Sequence, residues 1–237
     1  WKPALAGLAA ASILSVFIDP GAGLNACTFR LFGSVFLAFV ADVAIGWIVL
    51  SLVVSKLVPA ASPKLDFQPV RLLLVLGAVI FTRVAQYEPG LALGLVAGIV
   101  FVGALAASDR ARLNLTVLGY GFVLALLAWV AFSVLNGIDS WGDAAWSVFL
   151  NEALAATTVA GIAALPLALL PVRGLVCYDI LKWNRVAWGI AYGVGLAAFL
   201  LVLVPLPSSW KEVPISFVAW IVLFLLYWKV LPESSSE

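Results

Sequence analysis

The stretch LFGSVFLAFVADVAIGWIVLSLVVS, Leu31–Ser55, decides the fold class. It is some twenty-five residues of almost unbroken apolar side chains with one charge, Asp42. A bilayer core about 30 Å thick needs about 20 such residues in a helix. Backbone amides have no water to bind in hydrocarbon, so a run of this kind must satisfy them internally.

Working outward, similar runs recur along almost the whole chain, separated by short polar gaps. They predict eight spans, roughly 3–18, 31–55, 70–86, 90–107, 114–135, 144–171, 186–205 and 214–231. Turn residues mark the breaks: Asp19-Pro20-Gly21, Pro59 and Pro63, Asn136-Gly137, then Pro205, Pro207 and Pro214. The reading is an all-α polytopic transmembrane helix bundle, one domain over residues 1–231, with a disordered polar tail over 232–237. Pro166 and Pro171 predict a bend at the end of the sixth span.

Composition agrees. Of 237 residues, 65% are hydrophobic and only 11% charged, too few to cover a water-soluble surface. A net charge of +1 argues against a nucleic-acid partner and leaves the lipid bilayer as the expected one. The chain has no His and two Cys, so a metal or haem site is not expected, and no cofactor is. Met is absent even at the start, which suggests a fragment, a processed product or an altered sequence. The first run, Pro3 to Ile18, lacks the basic region and cleavage site of a signal peptide.

Lys and Arg orient the bundle. With eight spans, Lys2, Lys56, Lys64, Arg71, Arg110, Arg112, Arg173, Lys182, Arg185 and Lys229 share one side, against Arg30, Arg83 and Lys211 on the other. The positive-inside rule makes the ten-cation face cytoplasmic, with both termini inside and the protein in the plasma membrane. Cys27 and Cys177 then fall on opposite sides and form no disulfide with each other.

Charges inside spans are costly, so they are the first candidates for function. Asp42, Arg83 and Glu152 form the candidate intramembrane polar network. Arg83 and Glu152 are expected to pair in the outer half, with Glu88 the competing partner for Arg83. Two readings stand side by side: an ion or proton path through Asp42 and Glu152, or a polar clamp between helices. Gly90, Gly94 and Gly98, and again Gly189 and Gly193, recur every four residues and predict helix-packing faces. Gly119-Tyr120-Gly121 has the letters of a channel filter without its flanking Thr-Val or a re-entrant setting. Around Asp179–Trp188, the residues Trp183, Arg185 and Trp188 predict interfacial anchors. No nucleophile stands near a base and no phosphate-binding loop is present, so an enzyme is not expected.

The run Leu167-Ala-Leu-Leu-Pro171-Val-Arg173-Gly-Leu175 resembles the Phe-Gly-Leu-Leu-Pro signature of the actinobacterial FGLLP-motif multi-pass membrane proteins. Trp183-Asn-Arg185-Val-Ala-Trp188 and Tyr192-Gly193-Val-Gly195-Leu196 are similar to that group's next helix. Arg83 with Glu88-Pro89-Gly90, and Glu152-Ala-Leu-Ala-Ala, resemble its upstream stretches. The literal Phe-Gly is Leu167-Ala168 here, Glu88 replaces a Gln, and Leu201 stands where the group tends to carry His. The resemblance implies a membrane core and an anchoring role, not a mechanism.

These readings favour a membrane-embedded scaffold or anchor for partner proteins of the envelope. The rival is a secondary transporter, or a channel for ions or small solutes, using Asp42 and Glu152. A polar cavity reaching the midplane beside those residues favours the rival; a dry, filled core favours the scaffold.

Overall fold

The computed structural model describes residues 2–19, 21–59, 61–67, 71–85, 97–102, 105–138, 144–169 and 176–203. These are mostly helical. In chain order they form α1 (Lys2–Val16), α2 (Ala26–Leu57), β1 (Ser62–Phe67), α3 (Arg71–Ala85), β2 (Ala97–Val102), α4 (Ala107–Asn136), α5 (Ala145–Ala163), α6 (Leu165–Ala168), α7 (Val176–Trp183) and α8 (Arg185–Ala198). A π-helical turn, Phe199–Leu203, continues α8. Four segments, α2, α4, α5 and Arg185–Val202, are long and apolar enough to cross a membrane.

Local chemistry explains the helix ends. Asn25 caps α2, its side-chain oxygen accepting the Thr28 amide at 2.8 Å. Asn184 caps α8 in the same way, accepting from Val186 and Ala187. Gly137 follows the last turn of α4. Near Pro166 the helix is interrupted at Ala164, between α5 and α6, and Pro171 lies outside the described residues.

One predicted span is corrected. Where the sequence suggested a helix over 90–107, residues 97–102 form β2, paired antiparallel with β1 from Ser62↔Val102 to Phe67↔Ala97. β1 lies in a stretch read as a loop. The segment Ala97-Gly-Ile-Val-Phe-Val102 is short and rich in β-branched and aromatic residues, so apolarity alone does not separate strand from helix. The span predicted over 214–231 lies outside the described residues.

Contacts set the directions of the helices. Val54 and Val58 near the end of α2 pack with Leu113 near the start of α4. Asn151 of α5 donates to Asn136 at the end of α4. Arg30 of α2 meets Glu152 of α5. So α2 and α5 run one way and α4 runs back between their ends. Lys56, Arg110, Arg112 and Lys182 gather at one end of this array, hereafter the basic end. Buried Val35, Ala38, Phe39, Val43, Ala125 and Ile162 form part of the main core. Outward, Ile48, Leu52, Val123 and Leu127 are each more than half exposed. A belt of that kind is suited to lipid rather than water.

Candidate functional site

Asp42 stands sixteen residues from Ala26 and fifteen from Leu57, at the middle of α2. A helix rises about 1.5 Å per residue, so its carboxyl is more than 20 Å from either helix end. Opposite it on α4 is Tyr120, whose hydroxyl donates to the Asp42 backbone carbonyl at 2.7 Å. Gly46, one turn along α2, makes room for that ring. A Cβ there would stand 3.0 Å from the tyrosine Cε1 and 3.3 Å from its oxygen.

Beside this pair is a cavity of about 590 Å³ walled by α2, α4, α5, α6 and β2. That volume suits a drug-sized molecule. Asp42, Tyr120 and Thr157 are its polar groups at depth, and Phe39 and Phe122 are among its apolar ones. Thr157 donates back to the Ala153 carbonyl of its own helix, leaving its oxygen lone pairs available to accept. Toward the basic end the lining continues through Asn114 to the exposed Arg110. Ile99, Phe101 and Val102 of the ribbon form part of the wall. Non-helical backbone within a membrane protein is tolerated where protein buries it or where it lines a hydrated cavity.

Toward the opposite end the lining stops at Ala38, Leu124 and Thr157. Beyond it the bundle is filled. Gly161 packs so closely on α4 that a Cβ there would lie 2.6 Å from the Cβ of Ala125. Ser34, Val35 and Ala153 are buried, and Phe149 lies against Gly33. Glu152 closes this end. Its Oε1 accepts from Arg30 Nε at 3.0 Å and from Nη2 at 2.8 Å, and its Oε2 accepts from Ser34 at 3.1 Å.

The predicted network is therefore divided. Asp42 lines the cavity; Glu152 does not. The expected Arg83–Glu152 pair is not formed. Arg83 instead donates Nε to the Phe17 carbonyl at 2.7 Å, tying the end of α3 to the end of α1. The reason is helix length: α2 begins at Ala26, before the predicted start, which brings Arg30 into the bundle. Sequence reasoning missed Arg30, Tyr120, Gly46 and Thr157. The Asn25 cap was the available signal for the first.

The packing glycines are also reassigned. Gly98 lies in β2, and Gly90 and Gly94 lie outside the described residues. Among the described residues, nothing lies within 4 Å of a Cβ built on Gly189 or Gly193. The close contacts belong to Gly33, Gly46, Gly161 and Gly195. At the basic end α7 packs on α4: the Arg112 guanidinium lies 5.7 Å from the Trp183 ring centroid, and Lys182 lies 4.6 Å from that of Tyr178. Trp183 and Arg185 are exposed. Trp188 turns inward and donates its Nε1 to the Leu169 carbonyl at 3.0 Å. Among the described residues, no cluster of three His, Cys, Asp or Glu could hold a metal ion.

No family model, curated protein or solved structure matches this chain.

Proposed function

We propose that this chain is a multi-pass plasma-membrane carrier that binds a small solute at mid-bilayer depth, its basic end facing the cytoplasm. The observation that carries this reading is the cavity reaching Asp42 from the Arg110 end while the Glu152 end is filled. A carboxylate at this depth is costly, and such residues recur along solute and ion pathways. The filled end, with its Arg30–Glu152 bridge, corresponds to the closed side of a carrier open to the cytoplasm. The orientation rests on the cations at the α2–α4–α7 end and the positive-inside rule. It places Lys2 on the cytoplasmic side, and the C-terminus is proposed to lie there too.

Accessibility of a cysteine at Thr157 tests this. In a Cys27→Ser background, Thr157→Cys should react with a membrane-impermeant maleimide applied from the cytoplasmic side of oriented vesicles, and not from the other. No labelling from either side would mean a dry cavity and would overturn the carrier.

One observation favours the scaffold reading. Val186, Gly189, Ile190, Gly193 and Val194 form an exposed apolar face on α8 without side chains at the two glycines. Such a surface lets a neighbouring helix approach closely. That reading agrees with the anchoring role implied by the resemblance to FGLLP-motif proteins, with other membrane or envelope proteins as partners.

A further inference from the structure

The chemistry of the cavity points to the class of its ligand. Asp42 is the only Asp or Glu among the described residues that line it, and among the described residues no Lys or Arg forms an ion pair with it. Arg110, the one cation among the described lining residues, stands ten residues before Tyr120 on α4, about 15 Å along the helix axis. At that separation, and exposed to solvent, its field at Asp42 is strongly screened.

Apart from Thr157 and Asn114, the rest of the described wall is apolar and aromatic. Phe39 on α2, Phe101 on β2, and Tyr120 and Phe122 on α4 all contribute to it. Aromatic faces attract organic cations through the ring quadrupole, and more strongly once both are desolvated. A part-buried carboxylate such as Asp42, at this depth and without a counter-charge among the described residues, is costly, and an incoming cation offsets that cost. A neutral ligand of the same shape would leave it in place. An anion would meet the carboxylate at close range.

From these relations we infer that the cavity takes a lipophilic organic monocation, an amine or quaternary onium of drug-like size, with Asp42 as its counter-ion. This rests on the carrier reading above and adds the substrate class. The positive centre lies by Asp42 and Tyr120, with the apolar body directed along the cavity toward Phe101 and the basic end. Arg110 at the mouth selects against a second positive charge on the ligand.

The test uses the full chain, purified in detergent, with tetraphenylphosphonium as the cation and triphenylphosphine oxide as its neutral counterpart. Binding is read by quenching of tryptophan fluorescence. The wild type should bind the cation at least tenfold more tightly than the neutral compound. Asp42→Asn should abolish that preference, and Asp42→Glu should restore most of it. Equal affinity of the wild type for both compounds overturns the cationic class, and this comparison needs no variant to fold. So does a preference that persists in Asp42→Asn. In either case the cavity itself stands if Thr157→Cys still labels from the basic side. Absence of binding by both compounds overturns the class as well, and when joined to absent labelling it overturns the carrier too.

Discussion

Arg30 and Glu152 meet at 2.8 Å across α2 and α5, with Ser34 holding the second carboxylate oxygen. The pair sits where the cavity lining has ended and the bundle is filled. The guanidinium donates from Nε and Nη2 to the same oxygen, so each charge has a defined partner and the two helices have a defined register at this end. Because Glu152 is the more buried of the two, at 20% exposure against 37%, losing Arg30 should be worse than losing both.

A double-mutant cycle measures that relation. Arg30→Leu should lower the melting temperature in detergent by several degrees, and adding Glu152→Leu should recover part of the loss. Arg83→Leu combined with Glu152→Leu should be additive, since Arg83 is engaged by Phe17 instead. Additivity in the first cycle would show that the bridge contributes nothing.

The glycines separate by what surrounds them. Gly161→Ala places a Cβ 2.6 Å from that of Ala125, so α4 and α5 must part. Overpacking of this sort costs about 1–3 kcal/mol. Gly193→Ala meets nothing among the described residues and gains helix propensity, so thermal unfolding should show no loss. If Gly193→Ala leaves the monomer's stability intact but abolishes co-purification of partner proteins or of a second copy, the scaffold reading gains the α8 face as its docking surface.

Tyr120→Phe removes one hydrogen bond between α4 and α2 and keeps the ring on Gly46. Bonds between membrane helices average somewhat less than 1 kcal/mol. A loss of about that size in a reversible unfolding titration is expected. A loss several times larger would mean that the hydroxyl supports more than the Asp42 carbonyl.

The two cysteines should differ in reactivity and in side. Cys27 is exposed at the start of α2, away from the basic end, while Cys177 of α7 is fully buried in a cluster with Ala111 and Leu165. Burial pushes the Cys177 thiol up to about 11. Thiolate is the reactive form, so raising the pKa lowers reactivity at neutral pH, leaving on the order of 0.1% thiolate at pH 8. Impermeant maleimide on intact cells should label Cys27 alone. Cys177 should remain protected at pH 8 even in detergent, its labelling rising with pH toward 11. Rapid modification of Cys177 at pH 7 would contradict its place in the core.

Several features were legible in the sequence. The helices of α2, α4, α5 and α8 followed from apolar runs matched to bilayer thickness, because unpaired amides in hydrocarbon leave no alternative. Asp42 stood out because a carboxyl eleven residues into such a run is costly unless something nearby answers it. Pro166 marked the break between α5 and α6 because proline supplies no amide for the helix ladder. Tertiary structure decided the rest. Glu152 took Arg30 rather than Arg83 because α2 and α5 run side by side in register, a relation between segments some 120 residues apart that no local pattern encodes. Strand β2 formed where apolarity also fitted a helix, because β1 was in place to pair with it. Whether Asp42 faced a filled core or a cavity depended on how far apart α2, α4 and α5 came to rest. That spacing is fixed by close contacts at Gly46 and Gly161, whose significance lies entirely in what the fold brings against them.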